Sequence, residues 1–267
     1  MSKAEQWGMR CVHEAKCWPQ SHFVTLTYND EFMPPGGSLC LRDVQLFMKR
    51  LRFEYKSTSA SPIRFFLGGE YGDENRRPHY HALLFNLSLD DRMYYATNKR
   101  GEKLFTSARL AACWGKGFVT IGAVTLDSAI YCAKYALKAL NVTDDSPPEV
   151  RRRYEERYVV YDADGVVTER CREFAVMSRR PGIGGYYYEK YGAEVRAHDS
   201  VVVNGKERSP PRYYDSKFDA VDADGFARMK RKRKRLAVLA KSDNTPERLR
   251  VKERLMVIAA ELKERKL

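Results

Sequence analysis

Two histidines in an alternating segment are the first residues in this chain whose types and spacing could do chemistry. His79 and His81 flank Tyr80 in the segment PHYHALLF. This pattern predicts a strand, on which alternate side chains share a face, so both imidazoles point the same way, about 6–7 Å apart. Two imidazoles so placed can hold one divalent ion. The alternative is an incidental or structural pair, since this short motif is a weak signal by itself.

Glu70 could complete a set of metal ligands. It ends the preceding predicted strand, and a short hairpin would bring its carboxylate beside the two imidazoles. Two neutral imidazoles and one carboxylate suit Mg²⁺ or Mn²⁺, with coordination positions left open for water or phosphate. The alternative is that Glu70 is a solvated acid at the end of the strand, paired with Arg76 or Arg77.

A downstream helix supplies candidate nucleophiles. In the segment YCAKYALK, Tyr131, Lys134, Tyr135 and Lys138 recur at helical spacing and therefore share one ridge. A phenol is mostly protonated at neutral pH, and nearby ammonium groups lower the cost of ionising it. The alternative is that the tyrosines cover the helix edge and the lysines form its solvated face.

Hydrophobic periodicity predicts the elements that must position these groups. Predicted strands cover His22–Tyr28, Ile63–Glu70, Pro78–Phe85 and Phe118–Val124, with a hairpin at Tyr158–Val167. Predicted helices cover Arg42–Lys56, Leu104–Trp114, Asp127–Leu140 and Pro246–Lys266. This order predicts an α+β fold, a central antiparallel β-sheet with flanking helices, the layout of ferredoxin-like and RRM domains. The layout by itself assigns no function.

Composition excludes several classes of protein and points to a polyanionic partner. The 267 residues are 43% hydrophobic and 31% charged, with a net charge of +13. No apolar run approaches the ~20 residues of a membrane span, and the polar first residues do not resemble a signal peptide. Six scattered cysteines do not suggest a disulfide scaffold. The positive charge favours nucleic acid, although a merely basic protein is the alternative.

Two basic segments are candidates for further DNA contacts. Residues 178–192, SRRPGIGGYYYEKYG, combine Arg179 and Arg180 with glycines that allow close backbone approach and tyrosines that could stack on bases. The alternative is a structural loop. The run Lys230–Arg235 could follow a phosphate backbone or could be a solvated helix face.

Taken together, these segments resemble the HUH endonucleases, and most closely the rolling-circle replication initiators of the Microviridae, in particular the gokushovirus branch. The resemblance rests on FVTLTYNDEFMP, GGEYGDENRRPHYHALLFN, YCAKYALK and SRRPGIGGYYYEKY, which run in the family's order from about residue 20 to 190. Four ordered motifs are far more specific than any one of them.

The resemblance implies an enzyme that nicks and rejoins single-stranded DNA. A tyrosine, Tyr131 or Tyr135, would attack the origin phosphodiester, forming a 5′-phosphotyrosine and a free 3′-OH. Lys134 and Lys138 would steady the phosphate or phenolate. Mg²⁺ or Mn²⁺ would be held by Glu70, His79 and His81, with no nucleotide cofactor, in keeping with the lack of a GxxxxGK[ST] motif. The expected DNA contacts are Arg76, Arg77, Arg179, Arg180, Lys230, Arg231, Lys232 and Arg233.

The expected organisation is an endonuclease domain over residues 1–195, with the DNA-binding loop 178–192, followed by a basic, mostly helical extension over residues 196–267. The expected partners are single-stranded DNA at the origin and host helicase and polymerase, in the cytoplasm of a bacterial host and without a membrane. The alternatives are a non-catalytic RRM-like nucleic-acid-binding protein, an HUH transposase or plasmid initiator, and a hydrolytic metallonuclease.

Overall fold

A seven-stranded antiparallel sheet organises the larger part of the chain. The computed structural model describes all residues except 74, 99, 136–138, 141, 144, 162–163 and 265–267, and only the backbone at 135, 260, 261, 263 and 264. The chain divides into two compact units, Met1–Ala96 with Lys103–Lys190, and Thr97–Glu102 with Tyr191–Leu267.

The strands of the sheet are short, and their order differs from their order along the chain. They are β1 (Ser21–Thr27), β2 (Arg64–Tyr71), β3 (Pro78–Phe85), β4 (Met93–Thr97), β5 (Lys103–Thr106), β6 (Val119–Ala123) and β9 (Phe174–Met177). Across the sheet they lie in the order β4-β5-β6-β1-β3-β2-β9. β3 therefore lies at the centre, between β1 and β2, and a separate hairpin pairs β7 (Val159–Tyr161) with β8 (Val167–Glu169).

Helices cover both faces of the sheet. The helices of the first unit are α1 (Lys3–Ala15), α2 (Leu41–Glu54), α3 (Ala108–Trp114), α4 (Leu126–Tyr135) and α5 (Pro148–Tyr158). On one face Leu26, Phe47 and Trp114 are fully buried in a core that includes α2 and α3. On the other face Phe66 and Leu83 are buried against small residues of α1 and α4. Each fully buried large apolar side chain contributes about 1.5–3 kcal/mol of transfer free energy.

The second unit is largely helical. The helix α6 (Gly185–His198) leads into it, and it contains α7 (Arg212–Val221), α8 (Ala223–Leu239), α9 (Pro246–Glu264) and a hairpin of β10 (Val201–Val203) with β11 (Lys206–Arg208). The rings of Phe218 and Phe226 join α7 to α8, with centroids 5.6 Å apart. Arg233 of α8 forms ion pairs with Asp199 and Asp215.

The α+β layout predicted from sequence is confirmed, as are the central antiparallel strands. One element was wrong in part, because residues 104–114 do not form a single helix. Leu104–Thr106 belong to β5, where Phe105 pairs with Ile121 of β6. The helix begins only after Ser107, whose hydroxyl accepts a hydrogen bond from the Leu110 amide and so caps α3.

The predicted loop 178–192 was also wrong in part, because its second half is the first half of α6. Aromatic contacts hold this turn of helix, since Tyr187 stacks on His13 at 4.0 Å and Tyr186 meets Trp18 edge-on at 5.3 Å. The predicted helix Asp127–Leu140 begins as α4, and its residues 136–138 lie outside the described residues. The sequence did not predict α1, β4 or β9. Among the described residues, no helix has the length and apolar character needed to cross a membrane.

Candidate active site

Glu70, His79 and His81 converge on the two central strands of the sheet. Glu70 of β2 is the direct cross-strand partner of His79 on β3, and His81 follows two residues later on the same face. Both imidazole Nε2 atoms lie against Glu70 Oε1, at 2.6 Å for His79 and 2.9 Å for His81. One ligand atom from each residue lies within 4.8 Å of the others, which is close enough for one metal ion.

Burial makes this cluster suited to a cation. Glu70 is 2% exposed and His81 is 6% exposed. The second carboxylate oxygen, Glu70 Oε2, is buried and accepts no hydrogen bond from the residues that the structure describes. A buried acceptor without a partner costs about 1–3 kcal/mol or more when charged. A divalent ion bound by this oxygen and the two imidazoles would remove that cost, so the donor set fits a metal.

Each imidazole is oriented by a contact through its other nitrogen. His79 Nδ1 lies 3.1 Å from the carbonyl oxygen of Arg77, and His81 Nδ1 lies 3.1 Å from the hydroxyl of Thr25 on β1. When Nδ1 carries the proton and donates to these oxygens, the lone pair of Nε2 is free for a ligand. Such outer contacts fix the tautomer and ring orientation of metal-binding histidines.

The protonation states set by the cluster also favour metal binding. Burial would raise the pKa of Glu70, but hydrogen bonds from both histidines outweigh it and hold that pKa below its ordinary value. Burial lowers the pKa of His81, which keeps this imidazole neutral. Burial opposes protonation of His79 as well, yet the bond to Glu70 outweighs it and raises the His79 pKa. A metal ion would therefore displace a proton from His79.

Tyr131 reaches this cluster from α4. Its hydroxyl lies 3.4 Å from Glu70 Oε1, and its ring meets the His81 ring edge-on at 5.0 Å. The Tyr131 side chain is nevertheless 36% exposed, so its hydroxyl is open to a substrate. The phenol thus stands beside a buried carboxylate and two imidazoles at the surface of the sheet.

Small residues allow α4 to lie close enough for this contact. The thiol of Cys132 donates to the carbonyl oxygen of His81 at 3.1 Å, and burial raises the Cys132 pKa to about 12, which keeps the thiol protonated. On the other side of α4, a Cβ atom at Gly8 of α1 would lie 2.5 Å from Ile130 Cγ1. Gly8 therefore permits a close approach of α1 that holds α4 against the sheet.

The structure describes only part of the predicted lysine and tyrosine ridge. Lys134 is exposed on the same helix as Tyr131. Tyr135 ends α4, and its side chain lies outside the described residues, as does all of Lys138. The roles of Tyr135, Lys134 and Lys138 stay predictions.

The loop that begins the predicted DNA-binding segment is held by a buried ion pair. Glu14 and Arg64 are almost fully buried, and the Arg64 guanidinium donates to Glu14 Oε1 at 2.5 Å. Glu14 Oε2 accepts from the Gly184 amide at 2.6 Å, and Arg64 donates to the Pro181 carbonyl at 2.7 Å. Together they fix the backbone of this loop, while Arg179 and Arg180 remain exposed.

The remaining predicted DNA contacts are placed differently from one another. Arg76 donates to the carbonyl oxygen of Glu156, and Arg77 pairs with Asp30 at 2.6 Å and donates to the Tyr28 carbonyl. In the second unit Lys230, Arg231 and Lys232 are exposed on α8, whereas Arg233 is held by its two aspartates. These hydrogen bonds raise the pKa of Arg233. Arg233 therefore has a structural role that the sequence prediction did not include.

The sequence analysis missed Thr25, Cys132, Glu14 and Arg64. Thr25 lies in the predicted first strand and shares a face with His81 through the β1–β3 register, so its position could have been found from strand pairing. The Glu14–Arg64 pair joins residues 50 positions apart and has no local signal.

An antiparallel sheet with Glu and His-x-His on its central strands, and a tyrosine on a covering helix, defines the class of this site. A family model described as a replication-associated protein of the ORF2 type matches residues 21–140, which include β1, the triad and α4. No solved structure matches the chain.

Three phage proteins are similar over most of the chain. The replication-associated protein VP4 of Bdellovibrio phage phiMH2K is 31% identical over 219 residues, 80% of this chain. The replication-associated protein ORF2 of Spiroplasma virus 4 is 32% identical over 235 residues, 85% of this chain. The replication-associated protein ORF4 of Chlamydia phage 1 is 24% identical over 233 residues, 81% of this chain.

The chain belongs to the replication-associated proteins of small single-stranded DNA phages of the Microviridae. The aligned part spans 62%, 67% and 53% of the lengths of the three relatives, respectively.

Proposed function

We propose that this protein initiates rolling-circle replication of a small phage by nicking and rejoining single-stranded DNA at the origin. The carrying observation is the Tyr131 hydroxyl, exposed to solvent and 3.4 Å from the carboxylate that also contacts both histidines. A phage replication protein needs a 3′-OH to prime synthesis, and a tyrosine endonuclease produces one. Family membership supports the role in replication.

The proposed reaction is a transesterification. Tyr131 Oη forms a bond to phosphorus as the bond from phosphorus to the 3′ oxygen breaks. The proton lost by the phenol is balanced by the proton taken up at the 3′ oxygen, and the 5′ phosphate stays on tyrosine. Because the phosphodiester energy is kept in this bond, rejoining the strand needs no nucleotide.

Glu70, His79 and His81 would hold Mg²⁺ or Mn²⁺, which supplies Lewis-acid stabilisation of phosphoryl oxygens when bound. The other steps fall to the chain itself. Glu70 Oε1 orients the Tyr131 hydroxyl, and the His81 ring supports the phenol from its side. Lys134 is placed on the exposed side of α4 to offset phosphate charge, and Lys138 is proposed for the same task from the sequence.

We further propose that Tyr135 is a second nucleophile. It lies four residues after Tyr131, one turn of helix or about 6 Å along the axis. One tyrosine would hold the new 5′ end while the other cleaves the regenerated origin. Arg179 and Arg180 would contact the DNA near the site, and Lys230, Arg231 and Lys232 would contact it from the second unit. The reaction would take place in the cytoplasm of the bacterial host, with host helicase and polymerase as partners.

The test is adduct formation on single-stranded DNA of the parent phage, with Mn²⁺ or Mg²⁺, resolved on a denaturing gel. Tyr131→Phe, Tyr135→Phe and the double variant are compared with Tyr94→Phe, a control on β4. We expect a metal-dependent, slowly migrating adduct that is lost in the double variant and retained in Tyr94→Phe. The single variants then assign roles.

Other outcomes would contradict the proposal in distinct ways. An adduct that persists in the double variant would exclude both tyrosines. Cleavage without an adduct would indicate a hydrolytic metallonuclease, and binding without chemistry would indicate a non-catalytic protein. Efficient transfer between two unlinked strands would favour the transposase class. Full joining of multiple circles by Tyr135→Phe would contradict the alternation of two nucleophiles.

A further inference from the structure

Two exposed aromatic rings lie on the sheet beside the candidate active site. Phe118, just before β6, is 47% exposed and Tyr95 of β4 is 55% exposed. Their ring centroids are 5.0 Å apart, with the planes tilted by 58°. We refer to Tyr95 and Phe118 as the aromatic platform. Exposed aromatic pairs are uncommon, because each large ring left in water forfeits the free energy of its burial.

The register of the sheet places the platform on the same face as the metal ligands. Thr25 and His81 share a face, since the Thr25 hydroxyl contacts the His81 ring. Two residues further along, Thr27 is the cross-strand partner of His79. The buried Val119 pairs with Leu26 on the opposite face, so the preceding residue Phe118 points to the face of Thr27.

Glu70, His79, Thr27 and Phe118 therefore form one row across four adjacent strands. The Thr27 amide donates to the Phe118 carbonyl at 3.0 Å, which closes the row. Neighbouring strands lie about 4.8 Å apart, so Phe118 is about 10 Å from His79. The only side chain between them in this row is a half-buried threonine, which leaves a shallow floor from the metal ligands to the platform.

We propose that the aromatic platform stacks on the bases of single-stranded DNA next to the phosphate held at Tyr131. This inference rests on the proposed function. Bases of an unpaired strand present flat apolar faces, and aromatic side chains in a basic protein are their usual partners. The net charge of +13 favours the same polyanion, and a platform continuous with the nucleophile's face would set which nucleotides flank the nick.

The neighbouring tyrosine provides a matched control. Tyr94 is on the same strand and is 61% exposed, but its ring packs against Phe105, which belongs to the core on the opposite face of the sheet. Tyr94 and Tyr95 thus have the same side chain and similar exposure, and differ in the face of the sheet that they present. A general effect of exposed tyrosines on DNA affinity would appear in both.

The experiment compares two oligonucleotides of equal length and charge, oligo(dT) and a fully abasic strand. Binding is measured by fluorescence anisotropy in EDTA, so that cleavage does not contribute. The variants are Tyr95→Leu and Phe118→Leu, which keep apolar bulk and remove the aromatic face, with Tyr94→Leu as control. Tyr95→Phe and Phe118→Tyr keep an aromatic ring and test whether folding is preserved.

We expect wild type to prefer oligo(dT) over the abasic strand, and each leucine variant to lower that preference about fivefold or more. Affinity for the abasic strand should stay unchanged, and the two conservative variants and Tyr94→Leu should retain the wild-type ratio. A wild-type ratio near one, an unchanged ratio in both leucine variants, or an equal loss in Tyr94→Leu would overturn the inference.

This result is separable from the test of the proposed function. If Tyr95→Leu and Phe118→Leu keep the wild-type ratio while wild type still forms the tyrosine adduct, only the stacking inference fails. If the preference for bases depends on the platform but no adduct forms on origin DNA, only the proposed chemistry fails.

Discussion

Two buried glutamates on the same side of the sheet have opposite surroundings. Glu14 of α1 is saturated, because its carboxylate accepts from Arg64, Trp18 and the Gly184 amide. Glu70 of β2 has two histidines on one oxygen, and no described residue donates to the other. A satisfied buried charge holds a structure together. An unsatisfied one is a cost that a bound cation can remove, and this difference separates a structural pair from a candidate site.

The largest effect is expected from breaking the saturated site. Glu14→Gln leaves the Arg64 guanidinium charged and buried without a counter-ion, and should lower the free energy of unfolding by about 3–5 kcal/mol. Urea denaturation measures this loss. The double variant Glu14→Leu with Arg64→Leu should recover much of it, because the uncompensated charge is gone. A loss below about 1 kcal/mol in the single variant, the range of an exposed ion pair, would show that the pair is not structural.

A smaller effect, and one that depends on metal, is expected at the unsaturated site. Mn²⁺ should raise the thermal stability of wild type, by about 2.7 kcal/mol at a concentration 100 times its dissociation constant. Glu70→Gln should abolish most of this gain, because the amide is a poor ligand for the ion. Glu54→Gln, at an exposed glutamate of α2, serves as the control. Equal stabilisation of Glu70→Gln and wild type would exclude Glu70 as a ligand.

The smallest expected effect concerns the contact that orients His81. Thr25→Val keeps the shape of the side chain and removes the hydroxyl next to His81 Nδ1. We expect Mn²⁺ affinity to fall about tenfold to a hundredfold, as is typical when an outer contact of a metal-binding histidine is lost. Thr120→Val is the matched control, since Thr120 is the partner of Thr25 one strand further from His81. Isothermal titration would reveal equal affinities if the hydroxyl has no orienting role.

The sequence was most informative where a function follows from local spacing. The alternation around His79 and His81, with Glu70 at the end of the preceding strand, predicted three residues that the structure brings within 4.8 Å. The helical spacing that begins at Tyr131 likewise predicted a helix that the structure places over this cluster. In both cases the period of one element determines which side chains share a face.

Contacts between distant segments had no such signal. Glu14 and Arg64 read as an ordinary acid and an ordinary base until α1 is placed on the sheet. The short strand β9 and the contacts of Tyr186 and Tyr187 depend on partners far away in sequence, so glycines and tyrosines were taken for a loop where α6 begins. For β5, three residues of helical spacing were outweighed by pairing with β6.

The row that runs from Glu70 through His79 and Thr27 to Phe118 makes the sheet act as a ruler. The spacing along it is set by the backbone hydrogen bonds between strands, about 4.8 Å for each step, and does not depend on the loops that join them. Insertions in those loops can therefore accumulate while the distance between His79 and Phe118 stays fixed. A shift of one residue in any strand would turn its contribution to the opposite face. The geometry of this surface is thus tolerant of changes in length between strands and intolerant of any slip within them.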